Sequence, residues 1–274
     1  MSQSVDPMNP RSIGEYLAHL QVIMVNTTLP ANIGSAARAM HTMGLSRLTV
    51  VDPKHPIDDT SVSHAAGGIA VLEAASITPT LDAAVADCQL VFAASSRSRH
   101  MPRPVVNPTE AADIMLSFID AQNAQGSTPN IAILFGREDR GLTNDELALA
   151  DYHIQIDANP EYPVLNVASA IQVIASFIFA RTQAHVSHTD TPDNADDTES
   201  GLTMHIRQQW DEPAITHAEQ AQLVNRVIDL MVDKNLADAG QLKSLPARLS
   251  RLSARLQLDK KEYQLLSALI AKLK

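Results

Sequence analysis

Five short apolar runs, each followed by a stretch of helical spacing, limit what this chain can fold into. They fall at residues 22–25, 48–51, 90–94, 131–135 and 153–156, with a weaker one at 70–72. Runs of this length, apolar on consecutive residues, suit strands buried on both faces. Helical patterns lie between them, notably over 110–121. Such alternation predicts an α/β fold: a mostly parallel sheet with helices on both faces.

Three strand–helix junctions carry the polar residues. In the first, NTTLPANIGSAARAMHTMGL (26–45), a turn at Pro30, Asn32 and Gly34 leads into a helix. Ile33, Ala36, Ala37, Met40 and Met43 make its apolar face, and Arg38 sits on the other side. An arginine there lies at the carboxyl end of a strand, where open α/β sheets bind ligands. In the second, LFGREDRGLTNDEL (134–147), Gly136 and Gly141 bracket a charged turn, and Thr143 with Glu146 forms a capping box. In the third, the turn at Asn159-Pro160 leads to Tyr162-Pro163-Val164-Leu165, and Asn166 caps a long apolar helix. Read singly, each junction is better explained by structure than by function.

In this order the motifs N-x-x-x-P-x-N-I-G-x-x-x-R, F-G-x-E-x-x-G-L and L-N-V-A resemble those of the SPOUT RNA 2′-O-methyltransferases. The resemblance covers about residues 20–182. It implies a C-terminal trefoil knot over about 131–180, one of the rare exceptions to unknotted topology. It also implies S-adenosyl-L-methionine as cofactor, held by Ala94, Ser95, Ser96, Gly136, Ile156, Pro163, Val164, Leu165 and Asn166. Gly136 suits a close backbone approach that tolerates no Cβ. Arg38 matches the arginine on the substrate side, Asn32 the residue fixing its turn, and Glu138 the acid of the second motif. An arginine, with a pKa above about 12, is a poor base. A charged guanidinium that orients the ribose hydroxyl and neutralises developing oxyanion character fits better. Glu138 is read either as orienting an arginine or the substrate, or as a turn carboxylate paired with Arg137 or Arg140. The family usually has Ser-Ser where this chain has Pro163-Val164, so two hydroxyls are lost.

Other familiar sites are missing from the sequence. There is no G-x-G-x-x-G after the first run, no G-x-x-x-x-G-K-[ST], no paired cysteine and no H-E-x-x-H. No metal is expected. His185 and His188, near several Asp residues, are read as part of a solvated linker.

That linker spans 184–203, AHVSHTDTPDNADDTESGLT, with five acids and no Lys or Arg. It separates a methyltransferase domain (1–183) from a small helical extension (204–274). In the extension, Thr216 and Glu219 form a capping box, Leu245, Leu249, Leu252 and Leu256 a helical stripe, and Asp259 with Glu262 opens a last helix.

With 4% aromatics, the core must be built of Leu, Ile, Val, Ala and Met. Cys88 beside the run at 90–94 reads as a small core filler. No apolar stretch appears long enough to span a membrane and no signal-peptide pattern opens the chain, so a cytoplasmic protein with no membrane partner is expected. The net charge of −10 argues against indiscriminate nucleic-acid binding. Residues 241–274 nevertheless carry eight basic against two acidic side chains. They are read either as a polyanion-binding surface or as pairing with the acidic body.

Arg97, Arg99 and Arg103, with His100, are read either as gripping RNA phosphate near the cofactor or as a solvated loop, and in the extension Arg248, Arg251 and Arg255 are the candidate RNA contacts. The substrate implied by the resemblance is tRNA, at position 32 of the anticodon loop. An RNA-binding protein of this fold without catalysis, or a methyltransferase acting on ribosomal RNA, are the other readings. A homodimer is expected, with the face of Ala36, Ala37, Met40 and Met43 permitting close helix approach.

Overall fold

The computed structural model describes residues 12–95, 103–189 and 210–273. The chain runs α1 (Ile13–Leu17), β1 (Leu20–Val25), α2 (Pro30–Thr42), β2 (Arg47–Val51), α3 (Asp59–Ala65), α4 (Ile69–Glu73), β3 (Ser76–Thr78), α5 (Leu81–Val85) and β4 (Leu90–Ala94). It continues with β5 (Val105–Val106), α6 (Pro108–Asn123), β6 (Ile131–Phe135), α7 (Asn144–Ala148), β7 (Tyr152–Ile154) and α8 (Val167–Thr189). The extension holds α9 (His217–Asp233), α10 (Leu245–Leu256) and α11 (Lys260–Leu273).

The strands form one sheet of order β3-β2-β1-β6-β4-β7-β5, parallel throughout. Strand side chains alternate between two cores. Leu20, Val22 and Met24 join the larger, beneath α1, α2, α6 and α8, while Ile23 and Val25 join the smaller, beneath α5 and α7. The same split holds for Ile131, Ile133 and Phe135 against Ala132 and Leu134. Both faces are thus buried, as the consecutive apolar residues require. Cys88 fills the smaller core, and burial pushes its thiol up to about 12.

Several expectations are corrected. The weak run at 70–72 is helical, within α4, and the strand follows at β3. Edge strands β3 and β5 are too short and too exposed to show a pattern. The expected turn at Pro30–Gly34 is already the first part of α2, with Pro30 at its start, where a missing N–H costs nothing. Gly34 serves helix contact instead: a Cβ there would lie 2.0 Å from the Ser61 carbonyl oxygen of α3. Ala36, Ala37 and Met40 are fully buried within the chain, so they offer no face to a second subunit.

Helix α8 runs to Thr189, past the expected linker boundary at 184. His185 is therefore helical. Its Nε2 lies 2.9 Å from Asp120, which also accepts from the Tyr16 hydroxyl at 2.6 Å. By length (21 residues) and mean hydropathy (1.3 over an 18-residue window) α8 could cross a membrane, contrary to the sequence reading. It instead packs on α2 and α6 and buries Ile171, Ile174, Ala175 and Ile178.

The extension docks on the sheet domain. Trp210 meets Phe118 edge-on at 6.0 Å, the Ala214 N–H donates to Gln122 at 2.7 Å, and His217 Nε2 lies 3.1 Å from Asp151. Its own core is small: Ile215, Leu223, Leu258 and Ile270. The leucine stripe of α10 is not fully used, since Leu252 and Leu256 remain exposed.

Candidate active site

Three loops meet at the carboxyl ends of β1, β4, β6 and β7. The loop after β6 comes closest to β1. Gly136 permits its geometry: a Cβ there would lie 2.2 Å from the backbone of Gly141 and Leu142. The close approach that excludes a side chain is therefore the loop's own return, closed by an antiparallel bridge between Arg137 and Gly141.

Within this loop Glu138 turns toward β1 and α2. Its carboxylate accepts from Asn32 Nδ2 at 2.8 Å, from the Thr28 N–H at 3.0 Å and from the Leu29 N–H at 3.4 Å. Asn32 in turn accepts at 3.1 Å from Asn166 Nδ2, while Asn166 Oδ1 caps α8 through the Ala168 N–H at 2.9 Å. The three motifs are thereby joined through one buried asparagine. Burial pushes the Glu138 carboxyl up, but the bonds from Asn32 and the backbone N–H groups outweigh it and hold it below the usual glutamate range. Glu138 pairs with neither Arg137 nor Arg140. Arg140 bonds Asp139, and Arg137 forms a salt bridge with Glu146 at 2.8 Å.

A second polar chain escaped the sequence reading. Asn26, in the left-handed region at φ 48°, donates to Asp52 at 2.8 Å and accepts from Arg137. It links the ends of β1 and β2 to the β6 loop. Glu146, legible only as a cap, also anchors Arg137, which with the Thr143 N–H holds it below the glutamate range despite burial. Asparagine tolerates positive φ, and that was the one available signal.

Between these loops lies a cleft of about 170 Å³. Its walls include Ala94, Ser95, Gly136, Ile156, Pro163, Val164 and Leu165, so seven of the nine expected cofactor residues converge. Ser96 lies outside the described residues, and Asn166 is committed to Asn32 and the α8 cap. Glu138, Asp139 and Arg140 add charge at the same cleft. Apolar walls with a hydroxyl and charged groups at one side suit a nucleoside bearing a charged amino-acid tail.

Arg38 is exposed and does not line the cleft. It stands six residues beyond Asn32, about 9 Å along α2. Among the described residues its guanidinium has no hydrogen-bond or ion-pair partner.

The other arginines separate. Arg97 and Arg99, like His100, lie outside the described residues. Arg103 turns away from the cleft, donating to the Ala148 carbonyl at 2.6 Å and to Ser250 at 3.3 Å, beside α10. The basic C-terminal segment also divides. Lys260 pairs with Glu219 at 2.6 Å and Lys261 with Glu212 at 2.5 Å. Arg248, Arg251 and Arg255 have no ion-pair partner among the described residues.

Comparison with known proteins adds to this geometry. Residues 19–176 match the SpoU rRNA Methylase family. The chain is 31% identical to a Pseudomonas aeruginosa protein named tRNA (cytidine/uridine/adenosine-2′-O-)-methyltransferase TrmJ, over 93% of each chain. A Klebsiella pneumoniae tRNA (cytidine/uridine-2′-O-)-methyltransferase TrmJ is 42% identical over 64% of this chain and 72% of its own. Among solved structures, TrmJ from Z. mobilis ZM4 superposes with a TM-score of 0.70 at 28% identity, over 93% of this chain and 99% of the other.

Proposed function

The chain belongs to the SpoU methylase family, and from that premise we propose that it methylates the ribose 2′-hydroxyl of a tRNA nucleotide, using S-adenosyl-L-methionine. The observation that carries the reading is the bridge through Asn32, which ties Glu138 and Asn166 together beside the cleft. The names of the relatives support tRNA over ribosomal RNA, and position 32 of the anticodon loop is the proposed target.

The cofactor supplies an electrophilic methyl group. Ala94, Ile156, Pro163, Val164 and Leu165 would hold its apolar part and exclude water. Ser95 and the charged 138–140 turn would meet its polar groups. The missing serines at 163 and 164 matter little if backbone groups make the contacts there. Glu138 and Asn32 position the loops rather than move protons: the carboxylate is saturated by three N–H donors. Arg38 orients the hydroxyl, stabilises the developing oxyanion as the proton passes to solvent water, and grips an adjacent phosphate.

Because Arg38 stands outside the cleft of its own chain, the complete site is proposed to form across a homodimer, one subunit giving the arginine and the other the cofactor. The dimer surface is not the buried Ala36–Met40 face. Exposed Leu29, Tyr162, Val164, Leu165 and Phe177 supply an apolar alternative. The unpaired arginines of α10 are proposed to bind tRNA phosphates, and such a substrate implies a cytoplasmic site of action. The knotted path over 131–180 is likewise proposed; insertion of β6 between β1 and β4 supports it.

The test is transfer of radiolabelled methyl from S-adenosyl-L-methionine to a tRNA transcript, beside a ribosomal RNA fragment, with Arg38→Ala as control. Label on tRNA that depends on Arg38 supports the reading. Label on ribosomal RNA alone favours the other family activity, and no label with intact tRNA binding favours a non-catalytic RNA binder.

A further inference from the structure

A second cavity lies at the opposite end of β7 from the cleft, between the β5–β7 edge and α10. It holds about 830 Å³, within the usual size of small-ligand sites. Val106, Ile114 and Tyr152 give it largely apolar walls, while Arg103, Arg251 and Arg255 bring three cations to it from two parts of the chain. Burial lowers the Arg103 pKa, Asp151 raises it and the nearby Arg251 lowers it again, so cations crowd one small space. Asp151, the one carboxylate on the wall, is committed to the Val91 N–H at 2.8 Å and to His217 at 3.1 Å.

A smaller inner recess of about 40 Å³ adjoins the cavity, the two sharing walls at Ile114, Asp151, Tyr152, Ala254 and Gln257. Ser253 of α10 lines that recess. It is 8% exposed, and its hydroxyl has no hydrogen-bond partner among the described residues. A buried unpaired hydroxyl is costly and calls for a polar group from outside.

We propose that this crevice is a second nucleotide-binding pocket. It takes one phosphorylated nucleoside: the phosphate between Arg251, Arg255 and Arg103, and the base in the apolar interior with a polar edge on Ser253. The nucleotide comes either from bound tRNA, as a base turned out of its stack, or from free mononucleotide. The RNA source rests on the proposed reading of the α10 arginines as tRNA contacts; the pocket itself does not depend on methyl transfer.

Calorimetric titration of the full chain with AMP, UMP and inorganic phosphate tests this, beside filter binding of tRNA. Arg251→Glu and Ser253→Ala are the variants, each checked for an unchanged melting temperature. Alanine suits a helix interior, so Ser253→Ala keeps the test informative should Arg251→Glu unfold. For a free-nucleotide site, AMP or UMP binds at least about tenfold tighter than phosphate. Arg251→Glu then weakens it about tenfold and Ser253→Ala about threefold. For an RNA site, mononucleotides bind weakly, and the same variants weaken tRNA binding by the same factors. Ser253→Ala carries no charge change, so a loss there separates pocket binding from general attraction. If folded Ser253→Ala binds both mononucleotide and tRNA within twofold of the parent, the proposal is overturned. Failure of methyl transfer in the parent protein would refute the proposed function without changing these binding results.

Discussion

Asn32 Nδ2 donates to Glu138 Oε1 across 2.8 Å, joining the first turns of α2 to the loop after β6. The bond spans 106 residues of sequence and sits where the three motifs meet. Asn32→Ala removes it and strands the Asn166 amide, so a loss of about 1–3 kcal/mol is expected. Glu138→Gln should cost a similar amount, because its one amide nitrogen must face either the Thr28 N–H or the Leu29 N–H with Asn32 Nδ2, donor against donor. Thermal melts at pH 7 check both. The same bonds set a pH dependence. The Glu138 and Glu146 carboxyls are held below their ordinary range, so their stabilisation is fully present above about pH 4.3 and is lost as pH falls through the folded-state values. The melting temperature should fall steeply below about pH 4.3, and less steeply in Glu138→Gln.

Gly34→Ala should destabilise the fold, although alanine is the better helix former. Its Cβ would sit 2.0 Å from a backbone oxygen of α3, which cannot move without shifting that helix. A cost of about 3 kcal/mol is expected from such overpacking, measured by urea denaturation. An unchanged midpoint would show that α3 yields freely.

Arg38→Ala should lower turnover by roughly 10²–10³-fold, the scale of losing an oxyanion-stabilising donor, with cofactor affinity within about twofold. Arg38→Lys should remain severely impaired, since lysine lacks the planar fork. Mixing Arg38→Ala chains with chains disabled at the cofactor cleft should restore activity in mixed dimers. No recovery, in a mixture shown to exchange subunits, contradicts the shared site.

Replacing Arg248, Arg251 and Arg255 together by Gln should weaken tRNA binding and flatten its salt dependence. Each lost phosphate contact removes roughly 0.7–0.9 from the slope of log K against log salt, so a decrease of about 2–3 is expected. An unchanged slope would assign these arginines to another role.

The parallel sheet was legible because its central strands are buried on both faces and leave unbroken apolar runs. The edge strands were not, because β3 and β5 contribute few buried side chains. The cleft walls were legible through motif order. What the motifs do there was less so. Asn32 and Asn166 are 134 residues apart, and nothing local shows that they bond. Gly136 was read as a place without room for a Cβ, and the backbone of Gly141 and Leu142, five and six residues on, leaves none. Arg103 stands close to Arg97 and Arg99 in sequence, and nothing local shows that it donates to the Ala148 carbonyl and to Ser250 of α10.

The most direct test is to incubate the full chain with unmodified tRNA and S-adenosyl-L-methionine bearing a deuterated methyl group, then map the label by nuclease digestion and mass spectrometry. The account predicts one labelled nucleoside, methylated on ribose, at position 32 of the anticodon loop, and initial labelling roughly 10²–10³-fold slower with Arg38→Ala. Label on a base, or ribose labelling by Arg38→Ala at the parent's rate, would contradict it.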